Sequence, residues 1–213
     1  KIGGSLFPKK AIKLAASLEG TNSLIIIGGG EFANLIRKYD GDIGFSEDVT
    51  HETAIDCMDI MAKLLNDKLA FTEISYTIEE AISISDLNKI PIMICSDILK
   101  ENEPFEHSWN VTSDSIASYI ASLLNAKLLI ATNVNGIYTQ EPKEPGSTFI
   151  SKIDATTLLT FQESSIDVML PSLLLEFGTN CYVVNGKCPE WVLSLIDDNI
   201  NDYNFDYTQI IGE

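Results

Sequence analysis

Two glycine runs constrain this chain more than any other feature. Gly3-Gly4-Ser5 precedes the helical pattern of residues 8–18, and Gly28-Gly29-Gly30 separates the apolar run 23–27 from the helical residues 31–38. Glycine at a strand-to-helix turn lets backbone N–H groups approach a bound anion, and the helix N-terminus adds partial positive charge. Three consecutive glycines carry an entropic cost that a simple turn does not require. If the two preceding strands are neighbours, both loops lie at one carboxyl edge, where open α/β sheets bind ligands. Neither run is a G-x-x-x-x-G-K-[ST] or a G-x-G-x-x-G motif. Two anionic groups are therefore expected there, with a phosphate passing between them.

The remaining pattern is that of a parallel sheet covered by helices. Short apolar, β-rich runs at 23–27, 90–95, 127–133, 181–184 and 208–211 alternate with stretches of helical period. Most are continuously apolar, as strands buried on both faces are. Ala11, Leu14, Ala15 and Leu18 fall on one helical face. Ala54, Ile55, Met58, Met61, Ala62 and Leu65 fall on another. Thr77 and Glu80 form a capping-box pattern, and Pro171 and Pro189 suit the first turns of late helices. Residues 98–107 and 140–151, rich in Pro, Glu and Lys, read as loops, the second as a flap. The acidic stretch from Asp197 to Asp206 reads as a solvated connection to a last strand. With no repeat and no low-complexity linker, the 213 residues are expected to form one domain.

Lys and Arg number 14 against 31 Asp and Glu, a net charge of −17. Such a balance argues against nucleic acid and anionic membrane as partners and leaves small or cationic ones. In so acidic a chain the grouping of Lys1, Lys9 and Lys10 around the first glycine run is informative, because a phosphoryl group in transfer needs cations. The helix dipole disfavours cations in a first turn, which an anionic ligand beside Lys9 and Lys10 would offset. Cys57, Cys95, Cys181 and Cys188 are scattered, without a CxxC pair or an ordered spacing to His51 and His107. Neither a zinc site nor a disulfide framework is expected, and a cytoplasmic location fits. Apolar runs such as 24–27 and 128–131 are far shorter than the roughly 20 residues of a membrane-spanning helix. The chain opens at Lys1 without an initiator Met or a signal-like segment, so its start is expected a few residues upstream.

One segment is more specific. Ser108-Trp109-Asn110-Val111-Thr112-Ser113-Asp114-Ser115-Ile116-Ala117 leads into a helix and is followed by Lys127-Leu128-Leu129-Ile130-Ala131-Thr132-Asn133-Val134-Asn135-Gly136-Ile137-Tyr138. Together with the two glycine runs in this order, the chain resembles the amino acid kinase superfamily over nearly its whole length. That resemblance implies a three-layer α/β/α sandwich with a mainly parallel eight-stranded sheet. It also implies an acceptor-binding lobe over about 1–110 and a nucleotide-binding lobe over about 111–213, ATP and Mg²⁺ as cofactors, and a homo-oligomer. On the matching positions, Lys1, Gly3, Gly4 and Ser5 would contact the nucleotide phosphates, and Gly28, Gly29 and Gly30 the acceptor. Lys10 would share the phosphoryl charge, and Asp114 would orient the lysines, a role that makes its burial less costly. Thr132, Asn133, Gly136 and Tyr138 would line the nucleotide pocket. Arg37, His51, Trp109 and Thr112 are the further candidates for the acceptor.

Within the superfamily, acetylglutamate kinases usually carry a His just before the glycine run, where Ile27 stands here. Uridylate kinases favour an Arg-Gly pair soon after it, and isopentenyl phosphate kinases a Gly-His where this chain has Ala33-Asn34. The combination of Gly28-Gly29-Gly30-Glu31-Phe32-Ala33-Asn34, Arg37, His51-Glu52-Thr53-Ala54-Ile55 and the Ser-Trp-x-Val-Thr-Ser-Asp run resembles an archaeal branch serving methanofuran biosynthesis. Members of that branch use ATP to convert an aminomethylfuran-methyl phosphate to its diphosphate. For such an acceptor, Lys9, Lys10 or Arg37 would meet the phosphate, and Glu31, Asp48 or Glu52 the ammonium group. His51 would either bind the phosphate or cap a helix, and Trp109 would either stack on the furan or pack within its loop. Isopentenyl phosphate and nucleoside monophosphates are the alternative acceptors. A nucleotide-binding storage or regulatory subunit is the alternative of another class. It is kept open by Ser172, which stands where many members have a late lysine.

Overall fold

The computed structural model describes residues 1–101, 103–161, 164–197 and 204–212. It divides into two compact units, Ile2–Trp109 and Lys1 together with Asn110–Glu213.

In the Ile2–Trp109 unit the elements are α1 (Lys9–Ser17), α2 (Gly30–Ile43), α3 (Glu47–Asn66), β1 (Thr72–Ser75), α4 (Ile78–Asp86), β2 (Ile90–Met93) and α5 (Cys95–Glu101). β1 and β2 pair in parallel, and single parallel bridges continue the ladder from Ile92 to Ile25 and from Ile27 to Ile2. The run 23–27 thus supplies bridging residues rather than the full strand expected of it. Its register is nevertheless firm: Ile2 N donates to Ile26 O at 2.7 Å and Gly28 N to Ile2 O at 3.0 Å. This pairing brings the two glycine runs against each other. A Cβ at Gly4 would lie 2.3 Å from Gly30 N and 2.8 Å from Gly28 O, so the close backbone approach itself requires glycine.

Ile25, Ile27, Ile90 and Ile92 are buried, and α3 covers them with Ile55, Met58, Met61, Ala62 and Leu65, as the helical period indicates. Ser46 caps α3 by accepting from Val49 N. Thr77 caps α4 by accepting from Glu80 N at 3.1 Å, while Glu80 reaches back to Tyr76 N at 2.8 Å, one residue further than the usual box. The strand expected over 90–95 stops at Met93 because Cys95 opens α5. That helix also replaces the first part of the loop expected over 98–107, because buried Leu99 anchors it. β1, Thr-Glu-Ile-Ser, escaped notice because it is short and not continuously apolar.

In the second unit the elements are α6 (Ser113–Leu123), β3 (Leu128–Thr132), β4 (Ile137–Tyr138), β5 (Phe149–Ile150), β6 (Lys152–Asp154), α7 (Ala155–Leu158), α8 (Leu170–Phe177), β7 (Cys181–Asn185), α9 (Pro189–Ile196) and β8 (Tyr207–Ile211). The sheet order is β3-β7-β8-β6; β3 and β7 run parallel, as do β6 and β8, whereas β7 and β8 are antiparallel. Lys1 lies along β3, its N donating to Leu129 O at 2.7 Å and its O accepting from Ala131 N at 2.9 Å. β4 and β5 form a hairpin, so part of the segment 140–151 is paired strand, not loop. Pro171 and Pro189 stand in the first turns of α8 and α9, as expected. The eight strands among the described residues, three of whose five pairings are parallel, and the helices around them match the α/β architecture expected from the resemblance. Of the acidic connection 197–206, residues 198–203 lie outside the described residues. Among the described residues no helix is long and apolar enough to cross a membrane.

Asp59 of α3 is buried and accepts from Cys95 N at 2.8 Å, capping the start of α5 from a distance. Burial pushes its carboxyl above the ordinary 3.8, against the hydrogen bonds from Ser96 and Cys95 that lower it. The native state therefore holds this proton longer than the unfolded chain does. Its contribution to stability is full below the unfolded value and is lost as pH rises through the folded one. Asp59→Asn, which keeps the Oδ1 acceptor, is expected to gain on the wild type in urea denaturation as pH rises above the ordinary carboxylate range. An unchanged difference would contradict this. Gly4→Ala should cost at least about 2 kcal/mol, whereas Gly41→Ala, which meets nothing within 4 Å, should be neutral or stabilising.

Candidate active site

Lys1 Nζ lies 2.6 Å from Asp114 Oδ1, with the two side chains only 8% and 7% exposed. Neither charge would be tolerable alone in so dry a setting, and together they keep an ammonium group in place beside the carboxyl end of β3. Lys1 is fixed by its backbone on β3, Asp114 by the first turn of α6. Thr112 is the N-cap of α6, its hydroxyl accepting from Asp114 N at 3.4 Å.

The same turn is held by Asp167, a residue to which the sequence reading gave no role. Its carboxylate accepts from Thr112 N (3.0 Å), Thr112 Oγ1 (2.9 Å), Ser115 N (3.0 Å), Ser115 Oγ (2.7 Å) and Leu170 N (2.8 Å). Its own N–H donates to Asp114 Oδ2 at 3.3 Å. Asp167 thereby ties the starts of α6 and α8 together and orients Asp114. Burial, and then the charge of Asp114, push its carboxyl above the ordinary range, while the hydrogen bonds from Ser115 and Thr112 oppose the rise. The signal was legible in principle, since an Asp three residues before Leu170-Pro171 is a helix-cap pattern.

Thr132 closes β3 and its O accepts from Gly186 N at 2.8 Å; Asn133 O accepts from Lys187 Nζ at 2.8 Å. Asn185 Nδ2 donates to Asn135 Oδ1 at 2.9 Å. The loops after β3 and β7, two parallel neighbours, are thus joined at one carboxyl edge, and Lys187 adds a cation that the sequence reading did not single out. Gly136 is buried for a packing reason, because a Cβ there would lie 2.4 Å from Thr208 Oγ1. Tyr138 stands edge-on to Phe149, ring centroids 5.3 Å apart.

In the Ile2–Trp109 unit, Gly29 is the N-cap of α2 and offers no side-chain acceptor. The N–H groups of Gly30, Glu31 and Phe32 open a helix, where none has an intrahelical partner, beside the turn of Gly3, Gly4 and Ser5. Arg37 packs over Trp109, its Cζ 4.6 Å from the ring centroid, and Trp109 Nε1 donates to Asp40 Oδ2 at 2.7 Å. One face of Trp109 is therefore covered by Arg37. His51 is buried with Nε2 directed to Glu103, and the exposed Asp48 is directed through Oδ1 to His107. Glu31 and Glu52 are exposed. Lys9 and Lys10 are exposed and form no ion pair among the described residues.

Residues 1–185 match the amino acid kinase family. The chain belongs to this family. Over its whole length it is 38% identical to the [5-(aminomethyl)furan-3-yl]methyl phosphate kinase of Methanocaldococcus jannaschii, of which the match covers 96%. It is 28% identical to the uridylate kinase of the same organism, over 86% of this chain and 82% of that one. Among solved structures, the uridylate kinase of Archaeoglobus fulgidus superposes with a TM-score of 0.72 at 21% identity, covering 98% of this chain and 97% of that one. The isopentenyl phosphate kinase of T. acidophilum gives 0.63 at 18% identity, covering 98% and 97%. The fold is the α/β fold of amino acid kinases, and the protein is an ATP-dependent kinase. Asp167→Ala should cost at least about 3 kcal/mol in chemical denaturation, because it leaves a set of enclosed donors unpaired. A loss below about 1 kcal/mol would show that water replaces the clamp.

Proposed function

We propose that this kinase transfers the γ-phosphoryl group of ATP to the phosphate of [5-(aminomethyl)furan-3-yl]methyl phosphate, making the diphosphate. The observation that carries this reading is the full-length likeness, at 38% identity, to a kinase that bears this substrate's name. The residues support it. Lys1, oriented by Asp114, would bind nucleotide phosphate oxygens together with the Gly3-Gly4-Ser5 backbone. Thr132, Asn133, Gly136 and Tyr138 would border the base and ribose, and Gly28, Gly29 and Gly30 the acceptor. Arg37 and Trp109, already one packed unit, suit a phosphate and an aromatic ring. Thr112, whose N–H and hydroxyl are both spent on Asp167, would support Asp114 rather than touch the acceptor.

Groups suited to ATP phosphates occur in each unit: the buried Lys1 ammonium in one, and in the other the start of α2 without a side-chain cap and the exposed Lys9 and Lys10, in a chain of net charge −17. ATP supplies the phosphoryl group, and Mg²⁺ would accompany its phosphates as counter-ion. The acceptor oxygen belongs to a phosphate already ionised at neutral pH, so the chain needs no general base. Its task is to position two phosphates and to stabilise the charge that develops. Lys1 and Lys10 would carry that charge where Ser172, at the start of α8, offers none. A homo-oligomer is also proposed, supported by Phe32, Leu35, Tyr39 and Ile43, which are exposed on α2.

ADP release with Mg²⁺–ATP tests the reading against a panel of the aminomethylfuran phosphate, isopentenyl phosphate, UMP and AMP. Selective turnover of the furan phosphate is expected, falling at least about 10²-fold in Asp114→Asn with the fold intact. Preference for UMP or isopentenyl phosphate would overturn the acceptor assignment. ATP binding without turnover of any acceptor would favour a regulatory subunit.

A further inference from the structure

Both histidines of the chain converge on one carboxylate. His51 Nε2 lies 2.5 Å from Glu103 Oε1, and His107 Nε2 lies 3.4 Å from Glu103 Oε2. On the other side of its ring, His107 Nδ1 lies 2.6 Å from Asp48 Oδ1. Asp48 and His51 belong to α3, Glu103 and His107 to the segment after α5. Ligand atoms of His51, Glu103 and His107 all fall within 4.8 Å of one another. Spacing along the chain gave no sign of this; only the fold brings the two histidines together.

Two features set this cluster apart from ordinary surface ion pairs. The contact of Nδ1 with Asp48 directs the Nε2 of His107 toward Glu103, and a carboxylate behind an imidazole is the usual support of a metal-bound histidine. Both Nε2 atoms also face the same carboxylate. A divalent ion would satisfy both Nε2 lone pairs and Glu103 at once, and the net charge of −17 favours its approach.

We propose that His51, Glu103 and His107 form a site for one divalent transition-metal ion of the Zn²⁺ type, with Asp48 orienting His107 and a fourth position open to water. Two imidazoles and one carboxylate suit Zn²⁺ and its neighbours, whereas Ca²⁺ and Mg²⁺ take oxygen ligands. The two rings are stacked, with centroids 4.6 Å apart and planes 8° from parallel. A bound ion lies in the plane of each imidazole that holds it, so binding must splay the rings. His107, with a side chain 29% exposed against 3% for His51, is the one with room to turn. The ion would staple α3 to the segment after α5 and so favour the folded state. This inference does not rest on the kinase reading.

The test uses the tag-free, chelator-treated chain. Zn²⁺ titration by calorimetry should give one saturable equivalent, a rise in Tm, and shifts of both imidazole signals in the NMR spectrum of the wild type, a readout that needs no variant. Co²⁺ should give visible d–d bands without a thiolate charge-transfer band. Glu103→Gln and His107→Asn should each weaken Zn²⁺ binding at least about tenfold with an unchanged circular dichroism spectrum. Unmoved imidazole signals, a thiolate band, or equal Zn²⁺ affinity in the variants would each overturn the site.

Discussion

The buried pair of Lys1 and Asp114 is the interaction on which the rest of the candidate site depends. A lone ammonium or a lone carboxylate in a position so little exposed would be driven to its neutral form or out to solvent. Each member therefore fixes the other, and the fold fixes both, Lys1 by its backbone on β3 and Asp114 by the capped start of α6. Asp167 adds a second layer. Its acceptors bind the turn that carries Asp114, and its own N–H reaches Asp114 directly. A phosphoryl-transfer enzyme without a general base has little besides such preorganised charge with which to act.

The glycine loops obey a different constraint. At Gly4 it is neighbouring backbone, and at Gly30 a φ of +57°, that demands glycine. In both cases the reason is local geometry that a side chain would disturb. At Gly136 the constraint is packing alone, against Thr208 and Phe149. The sequence could not separate these cases, because glycine is the same answer to each.

Much of the architecture was legible because it is written in periodicity. The α3 face and the late prolines appear where pattern placed them, and the runs at 90–95, 127–133 and 181–184 each contain a strand, β2, β3 and most of β7. What escaped is short or depends on distant partners. β1 and the two-residue strands of the β4–β5 hairpin are too brief for a period to register. Asp59 caps α5 from 36 residues away, and Asp167 meets Thr112 across 55. The His51–Glu103–His107 cluster joins α3 to a segment about fifty residues further on, and only folding brings it together. Lys1 and Asp114 were both chosen from the sequence by resemblance; their contact is a matter of the fold.

The unity of that pair can be measured directly through a cycle of Lys1→Met, Asp114→Asn and the double variant, reading kcat/KM for ADP release alongside circular dichroism. If the carboxylate acts by holding the ammonium group in place, each single change should lower kcat/KM by about 10²-fold or more and the double little further than the worse single. Losses that multiply would contradict this, since two independently acting groups, not one oriented cation, would then carry the transfer.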